Sequence, residues 1–89
     1  MPDISREFII RGGRMLNTSF GSVGGMAAIP AKDGEPAKAK LSISLPGSES
    51  EIKKIPLGGT FTLANGTWTV AEITGAGTNH WYVLVRRVD

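Results

Sequence analysis

Residues 60–73, TFTLANGTWTVAEI, constrain the fold more than any other part of the chain, because they specify a turn, a register and a buried face together. Two runs rich in Thr, Phe, Trp and Val flank Asn65-Gly66. This pair is the one best suited to the positive φ angles of a two-residue type I′ turn. A tight antiparallel hairpin is therefore predicted, with Leu63 facing Trp68, Phe61 facing Val70 and Thr62 facing Thr69. The apolar side chains of both strands then share one side. A slip of one residue would scatter them.

The remaining sequence must complete a β structure around this hairpin with little to spare. Eighty-nine residues make a single domain, expected to span 1–89, near the size at which one core is just sufficient. With no cysteine, disulfide frameworks and thiolate metal sites are excluded, so stability has to come from burial and backbone pairing. Hydrophobic residues make up 40% of the chain, and its twelve glycines and five prolines suit a globular protein with many turns. Ten Lys and Arg against eight Asp and Glu leave a formal charge of +2, and no polybasic block points to a nucleic-acid or membrane partner. MPDISREF lacks a basic region followed by a long apolar run, and no apolar stretch approaches a membrane span, so a cytoplasmic location is expected.

Taken in order, Glu7-Phe8-Ile9-Ile10-Arg11 reads as a first strand ending at Gly12-Gly13, with residues 14–20 returning against it. Glycines 21, 24 and 25 weaken regular structure in GSVGGMAAIP, which is read as extended and open to bulges or a close backbone neighbour. Residues 31–38, AKDGEPAK, form an exposed loop. Leu41, Ile43 and Leu45 alternate with serines as the buried face of a half-buried strand. Residues 51–57 pair back on it, and the phase of Ile52 and Ile55 predicts a bulge near Lys53-Lys54.

WYVLV, residues 81–85, is the most hydrophobic run and the best candidate for a central strand. Its apolar residues occupy both faces, Trp81, Val83 and Val85 on one and Tyr82 and Leu84 on the other, so each side needs a cover. No stretch carries the apolar spacing of a three-turn amphipathic helix. The expected fold is all-β, a small barrel or two-sheet sandwich of six to seven short antiparallel strands. Over Tyr82 and Leu84 lies either the glycine-rich Gly21–Ile29 segment or a second copy of the chain, and its few large apolar residues favour the second copy.

Candidates for chemistry are sparse. His80 is the only histidine, no serine lies in a G-x-S-x-G elbow, and the carboxylates show no ligand spacing. A surface residue or strand-entry hydrogen-bonder is the plainer reading of His80. Glu72 is in phase with Trp68 and Val70, so it is either a buried carboxyl able to act as an acid or base, or exposed by a bulge at Ala71-Glu72 that buries Ile73 instead. The bulge is favoured, since burying an unpaired charge is costly. None of the glycine pairs precedes the Lys-Ser/Thr of a phosphate loop. The Thr60, Thr62, Thr67 and Thr69 face suits a solvent-exposed sheet as readily as a ligand.

Leu57-Gly58-Gly59-Thr60-Phe61, then Thr67-Trp68-Thr69-Val70 with Glu72-Ile73, then Val83-Leu84-Val85-Arg86, resemble a family of small uncharacterised actinobacterial proteins over the C-terminal half. That resemblance implies no activity and assigns no site residue. The residues themselves point to a non-enzymatic binding or protein-interaction module, with Trp81, Tyr82, Leu84 and Arg86 as the candidate interaction surface. No catalytic residue, cofactor or metal is expected. A protein partner or self-association is favoured over a small ligand. Two alternatives stay open, a small-barrel enzyme with a pocket near His80 and Glu72, and a nucleic-acid binder using Arg86 and Arg87.

Overall fold

The computed structural model describes residues 6–88. Among these residues the chain forms eight strands and no helix: β1 (Glu7–Arg11), β2 (Met15–Thr18), β3 (Gly21–Ile29), β4 (Lys38–Ser44), β5 (Glu51–Pro56), β6 (Thr60–Leu63), β7 (Gly66–Thr74) and β8 (Tyr82–Arg87). They make two four-stranded antiparallel sheets, ordered β1-β8-β7-β6 and β2-β3-β4-β5. Of the barrel or sandwich expected from the sequence, the two-sheet sandwich forms, with eight strands where six or seven were expected, because β2 and the short β6 each form a separate strand. No described helix is long and apolar enough to cross a membrane.

Glycine pairs mark the two places where the chain changes sheets. At Gly12-Gly13 the Arg14 amide donates to the Arg11 carbonyl (3.2 Å), and Gly12 meets Gly25 in an isolated parallel bridge. At Gly58-Gly59 the Leu57 amide still donates to Ala37 (2.9 Å), extending the second sheet, while Gly58 already donates to Val70 (2.8 Å) in the first. Only a few residues separate the two layers at each corner. The 14–20 segment therefore does not return against β1 as the sequence suggested: β2 leaves for the opposite sheet and pairs with β3.

Alternation in each inner strand supplies the core. Phe8 and Ile10 of β1, Val83 and Val85 of β8, and Trp68 and Val70 of β7 meet Val23, Ala39, Leu41, Ile43 and Ile55 from the second sheet. Tryptophans close the two ends. Trp68 is fully buried, tilted against Phe8 at 4.8 Å and stacked on Phe20 at 5.9 Å. Trp81 packs against Gly12 and Gly25 at the other end, where neither glycine has a side chain to obstruct it.

The hairpin of β6 and β7 buries Phe61, Leu63, Trp68 and Val70 as predicted, but in a register two residues away. Leu63 pairs with Gly66, Thr62 with Thr67 and Phe61 with Trp68, so the turn residues are Ala64 and Asn65. A slip of two keeps every side chain on its face. Gly66 alone of the pair takes a positive φ, 139°, and Asn65 serves instead through its side chain, whose Oδ1 accepts from Trp68 Nε1 at 3.1 Å. Asn65→Ala should thus cost about 1–3 kcal/mol by stranding the indole N–H. Asn65→Asp, which keeps an acceptor, should lose much less of the urea midpoint, and equal losses would contradict this role.

Two further expectations are corrected and one disfavoured alternative is removed. Leu45 lies beyond the end of β4 and is exposed, so only Leu41 and Ile43 of its expected face join the core. No bulge interrupts β5, whose register with β4 is continuous from Glu51 to Pro56; Ile52 simply faces solvent. Gly21–Ile29 forms β3 of the opposite sheet and does not cover Tyr82 and Leu84.

Candidate interaction surface

Strand β8 lies between β1 and β7, and its inward residues Val83 and Val85 fix where the others point. Tyr82, Leu84 and Arg86 face outward on the first sheet. Register assembles the surface in three rows: Glu7, Arg86 and Thr69; Ile9, Leu84 and Glu72; Arg11, Tyr82 and Thr74. At its centre the half-buried Leu84 adjoins Ile9, which keeps 46% of its surface exposed. Polar groups frame this apolar centre. The Arg11 guanidinium carbon lies 5.9 Å from the Tyr82 ring centroid, a cation–π distance, and Arg86 Nε pairs with Glu7 Oε2 at 3.1 Å.

Of the four residues expected to form this surface, the structure brings Tyr82, Leu84 and Arg86 together and places Trp81 elsewhere, packed on the inner side at the glycine corner. Ile9 and Arg11, absent from the sequence-based set, complete it. Their signal lay in Phe8-Ile9-Ile10, apolar on both faces like Tyr82–Leu84, but 70 and more residues of chain separate the two segments and only pairing shows that they adjoin.

Glu72 is exposed by a bulge. The ladder jumps from Val70–Val85 to Glu72–Leu84, leaving Ala71 unpaired, and Ile73 turns toward the core in its place. His80 sits exposed in the loop before β8, its amide donating to Thr78 Oγ1 at 3.2 Å. Three surface hollows, lined respectively by residues within 29–38, 43–62 and 13–52, include none of His80, Glu72 and Tyr82. Among the described residues no group of three His, Asp or Glu is placed to hold a metal. Arg86 and Arg87, the basic pair considered for nucleic acid, alternate to opposite faces of β8, with Arg87 beside Trp68 in the ladder.

A model for a family of unknown function, DUF6406, matches residues 7–89. The chain belongs to the DUF6406 family. The match spans both halves of the sequence, not only the C-terminal half in which the resemblance to an uncharacterised family is read. No curated protein and no solved structure matches the chain. For this DUF6406 domain the functional reading therefore rests on its own residues.

Proposed function

We propose that the chain is a non-enzymatic protein-interaction module whose contact surface is the outer face of β1, β8 and β7, and that a second copy of the chain is its partner. The observation that carries this reading is the apolar centre of Ile9, Leu84 and Tyr82 on the middle of a sheet face, where a solvent-facing strand ordinarily presents polar residues. Its frame favours self-recognition. Glu72, in the middle row, and Arg11, in the row beside it, occupy diagonally opposite corners of these two rows. A two-fold axis lying in the interface plane and crossing β8 obliquely between Tyr82 and Leu84 would set Glu72 of each copy toward Arg11 of the other, closing the apolar centre with reciprocal charges. A bacterial cytoplasm is the proposed setting.

Sedimentation of the wild type beside Tyr82→Glu and Leu84→Glu tests the proposal. The wild type is expected to shift from monomer to dimer with rising micromolar concentration. Both variants should stay monomeric and folded, since each changes a half-buried outer position and leaves the core intact. A wild type that remains monomeric, or variants that dimerise as well as it does, would refute the proposal.

A further inference from the structure

The second sheet presents a different surface on the opposite side of the molecule. Register places Met15, Gly24, Ser42 and Ile52 in one outward row across β2, β3, β4 and β5. Met15 and Ile52 stand at its ends, 52% and 60% exposed, while Gly24 and Ser42 form a low floor between them. Next to this row the β3 ladder jumps from Gly25–Leu41 to Ala27–Lys40, and the unpaired Met26 stays exposed at the rim. The result is a hollow of about 340 Å³. The lack of a side chain at position 24 lets the Met15 thioether lean across the row and cover Gly24, which is buried beneath it.

The charged groups lining the hollow and in the row beside it are cations. Arg14 lines it, and the adjoining row on the same face carries Lys40 and Lys54. No carboxylate lines it, and none of these three cations has an ion pair among the described residues. We infer that this hollow docks an extended acidic segment of a partner protein, one bulky apolar side chain entering over Ser42 between Met15, Met26 and Ile52 while flanking Asp or Glu residues meet Arg14, Lys40 and Lys54. Charge complementarity selects an acidic occupant. The hollow is shallow, and its apolar residues stand around it without forming a protruding wedge, which suits a side chain better than a lipid surface. Flexible methionines at the rim suit variable side chains.

The test uses a short synthetic peptide alternating Asp or Glu with Leu or Phe, its Lys and Arg counterpart, and phosphatidylserine vesicles. Binding is followed through the methyl resonances of Met15 and Met26. The acidic peptide is expected to shift these methyls and the basic one to leave them unmoved. Lys40→Glu with Lys54→Glu should weaken the acidic peptide by at least about tenfold, the scale of introducing like charges at a contact. Ile52→Glu should weaken it too, and raised salt should do so progressively. Tyr82→Glu, on the other sheet, should leave it unchanged, which separates this site from the self-association surface. Silence of the acidic peptide, equal binding of the basic one, or vesicle binding in place of peptide binding would each overturn the inference.

Discussion

Trp68→Ala is expected to abolish stable folding or to leave a domain melting far below the wild type. The indole is fully buried, contacts Phe8 from its own sheet and Phe20 from the turn between β2 and β3, and so joins the two layers at one end. Emptying an aromatic core position costs about 3–5 kcal/mol. A domain of this size has a total stability of only about 5–15 kcal/mol, and each kcal/mol lowers its melting temperature by about 4–8 °C. Nearby groups cannot close the gap cheaply, because the Ala64 amide is tied to the Phe20 carbonyl at 2.9 Å and holds the two turns in place. Thermal unfolding followed by circular dichroism checks this. A variant melting within a few degrees of the wild type would mean that Trp68 does not hold the sheets together.

Gly25→Ala should be strongly destabilising, and Gly24→Ala, one residue away, should be nearly neutral. A Cβ at Gly25 would lie 2.5 Å from the Arg11 carbonyl oxygen and 2.9 Å from Trp81 Cη2. Neither can withdraw easily: the Gly25 amide donates to Arg14 (2.9 Å) and its carbonyl accepts from Gly13 (3.0 Å), so the corner is fastened on both sides. Overpacking of this kind costs about 1–3 kcal/mol where the surroundings can shift, and here a backbone atom must move. At Gly24 the nearest atoms to an added Cβ are Met15 Cε and Sδ, at 2.9 and 3.2 Å, the free end of an exposed side chain. Rotation of Met15 removes that clash, and alanine recovers some of the conformational entropy that glycine loses in a strand. Denaturant midpoints of the two variants, measured side by side, decide the matter. Similar losses at both positions would show that the cost is one of glycine flexibility and not of the contact with Arg11 and Trp81.

What could be read in the sequence follows from how strongly each segment's pattern depends on its partner. Leu41 and Ile43 of β4 and the β6-β7 faces were recognisable because alternation and turn residues are local. The Glu72 bulge was too, since a carboxylate in phase with Trp68 and Val70 is too costly to bury without one. Register was harder. Turns centred on Asn65-Gly66 and on Ala64-Asn65 both bury Phe61, Leu63, Trp68 and Val70, and the choice between them depends on Asn65 reaching the Trp68 indole and Ala64 reaching Phe20. Pairing of β2 was misread because proximity in sequence favours a hairpin with β1, whereas the approach of Gly12 to Gly25 diverts the chain into the other sheet. Ile52 offered an apolar signal without a core to enter, since the outward row of β5 faces water. The interaction surface was half visible for the same reason: Tyr82 and Leu84 announce themselves within one strand, but Ile9 and Arg11 join them only through the contact between the first and last strands.

The most direct measurement of the central claim is a concentration series of amide and methyl NMR spectra on the wild-type protein. Self-association through the first sheet predicts that resonances of Ile9, Arg11, Glu72, Tyr82 and Leu84 shift or broaden together as concentration rises, while Met15, Met26 and Ile52 on the opposite sheet stay fixed. Spectra independent of concentration, or changes centred on the second sheet, would contradict it.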